Sequence, residues 1–464
     1  MKTRFPYLFA ALAPLAPLAL ACAGPASTNA DAPATGAQEQ NEDAPFDLMH
    51  TVPECHHDGH PTTWCDHTDV GALAQASGME ARINSLIDRA VDPAKSKIVI
   101  AYFSFSDKGV FNKLCEKGKA GFSVEGFFDQ SYRTQLPAQL PTQCQGPSGN
   151  NVKVHFLGQL SDVPYIWRLH HNKFLIVDSG DDRPVSVNFS SGNLSSYGVS
   201  AHFDHWVLMT TPRTSNVVKM HECVVDSLRK AIDPHATGTD QMIDDPGVYR
   251  QSLDACLAAQ GTLFAPGKTW VESAITKENI APLFSPDPAG ANAEILIDNI
   301  NRVQAGGKIY GAMQHFLHYG IAEALRSAVA RGVDVSLVMD DDVITGESEV
   351  PGVREFYDSE LKQSVSGMKV QFLVTNAKEF QLMHNKFLVM EKLDGNKTRV
   401  FSGAGHFTDA GLHDNYENFY LSQNDTLSKK YADLFGYLWP RSVTEQQATP
   451  PAIQPAQPVQ GMSP

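Results

Sequence analysis

The pentapeptide HNKFL is written twice in this chain of 464 residues, at His171–Leu175 and again at His384–Leu388. The two copies constrain the fold more than composition does, because each is embedded in the same succession of elements. In the first half, KIVIAYFSF (97–105) reads as a strand, GVFNKLCEKGKAG (109–121) as a helix and FSVEGFFD (122–129) as a strand. In the second half, KIYGAMQHF (308–316), YGIAEALRSAVARG (319–332) and VDVSLVMDDD (333–342) repeat that order. The second of these helices shows apolar residues at helical spacing, and the strands are dense in β-branched and aromatic residues. Each pentapeptide then opens an apolar strand. A Ser/Gly-rich turn follows (FSSGNLS at 189–195, FSGAGHFT at 401–408), then a closing strand (DHWVLMT at 204–210, ENFYLSQ at 417–423). The expectation is an α/β protein of two duplicated domains, over 51–260 and 261–442. Each should be a mixed β-sheet flanked by helices, the two packed with pseudo-two-fold symmetry.

The ends read differently. MKTRF, the apolar run YLFAALAPLAPLALA and then Cys22 resemble an export signal over residues 1–22. The run is short and broken by Pro14 and Pro17, which does not suit a membrane span. Ala19-Leu20-Ala21 before Cys22 allows cleavage after Ala21, or lipid attachment at Cys22 as in a bacterial lipobox. The expected location is therefore the cell envelope, as a lipoprotein, or the exterior. Setting Cys22 aside leaves six cysteines, an even number that suggests disulfides in an exported chain. Six cysteines allow 15 pairings; neighbour pairing, Cys55–Cys65, Cys115–Cys144 and Cys223–Cys256, is the expectation. Residues 23–50 and 443–464 are rich in Ala, Pro, Gln and Ser without apolar periodicity, and read as a disordered linker and tail.

Side chains on a strand alternate faces, so His171 and Lys173 point one way, as do His384 and Lys386. An imidazole is the side chain best suited to act as nucleophile or proton carrier near neutral pH, and an ammonium suits a phosphate oxygen. One such pair supplies half of a displacement at phosphorus; two facing pairs supply both the nucleophile and the acid for the leaving oxygen. Asp178 and Glu391 each follow their histidine by an odd interval, so they should point away and serve as structural hydrogen-bonding groups at a strand end.

These residues resemble the phospholipase D superfamily, whose signature is His-x-Lys-x4-Asp followed by Gly-Ser-x-Asn. The first copy matches at His171, Lys173 and Asp178, with Ser190-Ser191-Gly192-Asn193 as its turn. The second has His384, Lys386 and Glu391, with Gly403-Ala404-Gly405-His406. By the resemblance these six motif residues are the catalytic set. It implies that His171 attacks phosphorus to form a phosphohistidine, and that His384 protonates the leaving alcohol and then activates water. Lys173, Lys386, Ser191 and Asn193 would hold phosphate oxygens. His406 would donate to the phosphate in place of asparagine, and Ala404 would weaken the second half's grip. The family also places a carboxylate eleven residues beyond the turn, here Asp204 and Glu417, each orienting the histidine of the opposite half: Glu417 with His171, Asp204 with His384. The chemistry needs no metal and no cofactor.

The net charge of −15 and the lack of a clustered Lys/Arg patch argue against nucleic acid as partner. With export and the aromatic residues near the first motif, they favour a phospholipid substrate at a membrane surface. The reading is a phospholipase D-type phosphodiesterase cleaving a headgroup, with phosphatidyl transfer to an alcohol as an extension, working as a monomer. The alternatives are a nuclease of the same superfamily and a non-catalytic phosphate- or lipid-binding protein. Weaker signals complete the reading. CHHDGHPTTWCDH (55–67) reads as a disulfide loop or a metal site. Tyr165, Ile166 and Trp167 line the entrance or join the core. His315 faces the cleft or packs. The loop at 134–151 covers the site. Asp340, Asp341 and Asp342 rim it and repel polyanions.

Overall fold

The computed structural model describes residues 46–51, 78–158, 168–232, 244–261, 279–287, 289–346, 348, 350–375 and 381–448. Strands β1 (Phe46–Thr51), β2 (Lys97–Tyr102), β3 (Ser123–Asp129), β4 (Val152–Leu157), β5 (Lys173–Asp178), β6 (Val185–Ser190) and β7 (Asp204–Thr211) form one sheet. Its order is β1-β7-β6-β5-β2-β3-β4. The chain continues through β8 (Ile280–Ser285), β9 (Lys308–Met313), β10 (Phe316–Leu317), β11 (Asp334–Asp340), β12 (Lys369–Leu373), β13 (Lys386–Leu393), β14 (Lys397–Gly403), β15 (Phe407–Thr408) and β16 (Glu417–Ser422). The second large sheet runs β12-β11-β9-β13-β14-β16-β8, and β10 pairs with β15. Read from its other edge, this order matches the first sheet strand for strand. In both sheets the three strands at one end run parallel and the motif strand and its successors antiparallel. The protein is thus the duplicated α/β fold expected, with two mixed sheets flanked by helices.

The motif strands β5 and β13 lie inside their sheets and carry apolar residues on both faces: Phe174, Leu175, Ile176 and Val177 in one, Phe387, Leu388, Val389 and Met390 in the other, all buried. One hydrophobic cluster draws on both halves, including Phe174, Val187, Phe189 and Val207 from the first and Phe387, Val389, Val400 and Tyr420 from the second. The rings of Phe189 and Tyr420 stack at 3.7 Å across that junction. In each half the helix that follows the last strand leans on the other half. Asn216–Ala231, capped by Ser215, packs on β8; Asp425–Leu438, capped by Asn424, packs on β1. An ion pair, Lys430 to Asp47, reinforces the second contact.

The structure corrects the expected borders at both ends. The linker expected over 23–50 gives way at its end to β1, which pairs antiparallel with β7 and buries Leu48. The tail expected from 443 begins later. Val443 exchanges backbone hydrogen bonds with Phe372, and the helix Glu445–Ala448 places Glu445 against Arg354 and Lys362. Disulfides join Cys115 to Cys144 and Cys223 to Cys256. Cys55–Cys65, Cys22, the histidine-rich stretch 55–67 and Tyr165, Ile166 and Trp167 fall outside the described residues. In the loop from 134, expected over the site, Leu140 and Cys144 are buried in a cluster with the helices Met79–Asp88 and Lys108–Lys119. Among the described residues no helix is long and apolar enough to cross a membrane.

Candidate active site

The two histidines stand at the seam between the halves, held there by main-chain bonds that cross it. His171 N–H donates to Tyr416 O, and Tyr416 N–H to Leu169 O, both at 2.8 Å. The second half repeats the pattern: His384 N–H donates to Phe203 O at 3.0 Å, and Phe203 N–H to Leu382 O at 2.8 Å. Tyr416 and Phe203 each immediately precede a carboxylate. The crossing therefore delivers Glu417 to His171 and Asp204 to His384. His171 Nδ1 lies 2.8 Å from Glu417 Oε2, and His384 Nδ1 lies 2.9 Å from Asp204 Oδ1. With Nδ1 engaged by a carboxylate, Nε2 is the nitrogen left to react.

The histidines are 5% and 6% exposed, and both carboxylates and both lysines are fully buried. Lys173 Nζ sits 2.9 Å from His171 Nε2 and 3.1 Å from its Nδ1; Lys386 Nζ donates to His384 O at 2.7 Å. Burial dominates the electrostatics. It drives both imidazoles well below their ordinary range, with the neighbouring lysines pushing the same way. It brings Lys173 down to about 7 and pushes Glu417 up to about 8, and it raises Asp204. The pocket by itself disfavours every charge. A phosphodiester anion arriving among these groups offsets that cost for the lysines.

His406 takes the central place. Its ring centroid is 5.7 Å from that of His171, 5.5 Å from that of His384 and 4.8 Å from that of His315. His315 thus faces the cleft, where Asp342 and Ser348 contact its Nε2. Asn193 is nearly buried, and its Oδ1 has no hydrogen-bond partner among the described residues. The turns pack tightly beneath. A Cβ on Gly192 would come within 2.4 Å of Trp206 and 3.0 Å of the Asp204 carboxyl carbon. One on Gly405 would come within 2.2 Å of Phe419 and 3.1 Å of that of Glu417. Glycine is what lets each turn rest on its carboxylate.

Other expected site residues lie elsewhere. Ser191, expected at a phosphate oxygen, gives its hydroxyl hydrogen to Asp204 Oδ1 at 2.7 Å and accepts the His205 N–H, so it holds the carboxylate. Asp178 and Glu391, counted in the signature, are remote from the reacting groups. Asp178 binds Arg213 and the Gly180 N–H, and Glu391 accepts from Tyr310 Oη at 2.6 Å. The odd interval after each histidine accounts for this. Asp340, Asp341 and Asp342 are all buried, and of the three Asp342 reaches the cleft, through His315. Asp340 accepts the N–H of Met383, the residue before His384, at 2.5 Å. Asp129 does the same for His170, before His171, at 2.8 Å.

Asp129 was missed from sequence, and Asp340 was singled out for a different role; His202 and Asn415 were missed as well. Each of the latter stands two residues before a carboxylate, on the same face. Asn415 Nδ2 donates to Glu417 Oε1 at 3.2 Å, and His202 Nδ1 is 3.7 Å from Asp204 Oδ2. The two-residue step was a readable signal. The acids clamping Met383 and His170 lie 43 and 41 residues away from them, and no local pattern marks them.

Residues 296–439 match a family described as cardiolipin synthase, phospholipase D-like domain. The fold resembles phosphatidylserine synthase from Haemophilus influenzae, with a TM-score of 0.51 at 13% identity over 78% of this chain and 84% of that one. Polyphosphate kinase from Porphyromonas gingivalis gives 0.48 at 13% identity over 86% of this chain; the match spans 52%, about half, of the kinase. Nuc from Salmonella typhimurium, a phospholipase D family member, gives 0.29 at 20% identity over 35% of this chain and 95% of its own. No curated protein matched. The duplicated sheets and the crossing histidine–carboxylate pairs agree with these likenesses: residues 296–439 are similar to a phospholipase D-like domain, and the chain shares its fold with the phosphatidylserine synthase.

Proposed function

We propose that the protein is a phosphodiesterase that cleaves the headgroup ester of a phospholipid through a phosphohistidine. The observation that carries the chemistry is the pair of imidazoles at one seam, each held at Nδ1 by a carboxylate from the opposite half. His171 Nε2 attacks phosphorus, the bond to the leaving alcohol breaks, and protonated His384 gives that oxygen its proton. His384 then takes a proton from water, whose oxygen attacks phosphorus; the P–N bond breaks and His171 is restored. An alcohol in place of water gives transfer instead of hydrolysis. Lys173, Lys386 and His406 surround the place where the phosphate oxygens would sit, and each charge-assisted contact contributes roughly 1.5–3 kcal/mol.

The choice of lipid rests on the acidic net charge and on the cavity beside His406. That cavity holds about 500 Å³, and Leu317, Tyr319, Val350 and Phe356 form its apolar wall. A volume of that order suits a small organic group. The Haemophilus influenzae relative is by name a phosphatidylserine synthase, which is consistent with a lipid substrate. The two disulfides fit an exported protein; lipidation at Cys22 and action as a monomer at a membrane surface belong to the same proposal. The test is incubation of purified protein with mixed phospholipid vesicles and with plasmid and single-stranded DNA. Headgroup release with intact DNA, and an acid-labile phosphoenzyme absent from His171→Ala, supports the reading. DNA cleavage with intact lipid replaces it by a nuclease, and no turnover of either by a binding protein.

A further inference from the structure

The pseudo-two-fold fails at one informative place. In the second half, Asn415 completes the Glu417–His171 pair by donating to the carboxylate. Its counterpart in the first half is His202, and there no such bond forms. His202 Nδ1 stands 3.7 Å from Asp204 Oδ2, beyond hydrogen-bond range. Asp204 Oδ2 is buried with no hydrogen-bond partner among the described residues, which is uncommon for a carboxylate oxygen in a protein interior.

We propose that His202, Asp204 and His384 form a binding site for a divalent transition-metal ion of the zinc class, and that occupancy inhibits the enzyme by withdrawing His384 from proton transfer. One ligand atom from each of the three residues lies within 4.8 Å of the others. Metal bonds of about 2.0–2.1 Å to imidazole nitrogen and carboxylate oxygen set neighbouring ligand atoms about 3–3.5 Å apart. His384 Nδ1 lies 2.9 Å from Asp204 Oδ1 and His202 Nδ1 lies 3.7 Å from Asp204 Oδ2, so the carboxylate stands between the two imidazoles with one oxygen toward each. Two imidazoles and a carboxylate are the donor set such ions take. Ser191 Oγ, bonded to Asp204 Oδ1, fixes the carboxylate from behind as outer partners of metal ligands do. Lys386 and Lys173 oppose a cation, and Asp204 with Glu417 offsets them, so the site should bind more weakly than a dedicated structural zinc site. Coordination through His384 Nδ1 leaves the neutral ring's one proton on Nε2. The metal-held imidazole can no longer take up and return the proton the leaving alcohol needs. This inhibitory half rests on the catalytic role proposed for His384; the site itself does not.

The experiment uses the full chain and two probes, Co²⁺ followed by its visible absorption and Zn²⁺ followed by calorimetry. Residues 55–67 also carry histidines, so the readout is the difference between the parent and His202→Asn, which installs the counterpart residue. The expected result is one equivalent of Co²⁺ with nitrogen-ligand bands in the parent, weakened by more than about tenfold in His202→Asn and retained in His171→Ala. Equal stoichiometry and affinity in the parent and His202→Asn, with unchanged melting temperatures, would overturn the site. Zn²⁺ should suppress turnover in the parent and spare His202→Asn, each relative to its own metal-free rate. Site-specific Co²⁺ uptake without any loss of turnover would overturn inhibition alone. An inactive parent would refute the catalytic reading while the spectra still decided the site.

Discussion

Replacing Glu417 by glutamine should abolish turnover while leaving the fold intact, and the structure says why so small a change matters. Asn415 Oδ1 accepts the Leu169 N–H at 3.0 Å, which turns its amide nitrogen toward Glu417 Oε1 at 3.2 Å. In Glu417→Gln the carbonyl oxygen must take that place, so the amide NH2 faces His171 Nδ1. Nδ1 then has to accept, the ring proton moves to Nε2, and the lone pair that should attack phosphorus is gone. Fixing the wrong tautomer should lower kcat by roughly 10³–10⁴-fold with little change in KM. Stability should move the other way. Burial raises Glu417 from 4.5 to about 8, so between those values the folded chain keeps a proton that the unfolded chain has released. Parent stability therefore falls as pH rises through that window, by an amount of order a few kcal/mol. The glutamine variant lacks this slope. Its melting temperature should gain on the parent's from the lower limit up to about 8 and then hold a constant lead. Adding Asn415→Ala frees the glutamine to turn over and should return part of the lost rate. Glu417→Gln retaining more than about a tenth of parental kcat, or no recovery in the double variant, would refute the tautomer argument.

Four further outcomes follow. Productive attack needs Glu417 ionised and Lys173 protonated, and burial sets these at about 8 and about 7; kcat/KM should trace a narrow bell between those values, and a flat profile from pH 5 to 9 would contradict it. His384→Ala should cost roughly 10²–10⁴-fold with an alkyl leaving group and far less with p-nitrophenolate, which needs no acid, whereas His171→Ala should lose both substrates. Ser191→Ala should lower kcat about 10–100-fold at unchanged KM, because the hydroxyl holds Asp204; a rise in KM alone would return it to the phosphate. Asp340→Ala should slow turnover by about 10–100-fold through the segment it clamps before His384, while Asp340→Asn, still able to accept the Met383 N–H, should stay within a few-fold of the parent.

The pairing of the site's histidines and carboxylates was readable because it is written at fixed short intervals. His171 and Lys173 share a strand face, and the eleven-residue step from each turn reaches Asp204 and Glu417. The edge strands β1 and β8 were not readable. Among its described side chains β1 buries one apolar residue, Leu48, and β8 carries Pro282, tolerated because β8 pairs on one side only. Ser191 was misplaced for a different reason. A serine in a Ser-x-Asn turn looks the same on paper whether its hydroxyl faces a ligand or the carboxylate behind it, and only the packing of Gly192 against Asp204 decides.

The departures of the second motif from the first then acquire a physical reading. In the first half the carboxylate receives its supporting hydrogen bond from the turn, Ser191 to Asp204; in the second that turn residue is Ala404, and the support comes from Asn415, two residues before Glu417. The supporting donor has moved across the carboxylate, so Ala404 does not mark a defective half. His202 and His406 are the residues this exchange leaves without a counterpart of their own kind, since Asn415 and Asn193 occupy the matching places. Two identical subunits meeting at a two-fold axis could not make such an exchange, because any change would appear on both sides at once. A duplication within one chain can, and it allows two histidines that the pentapeptide alone presents as equals to take different roles.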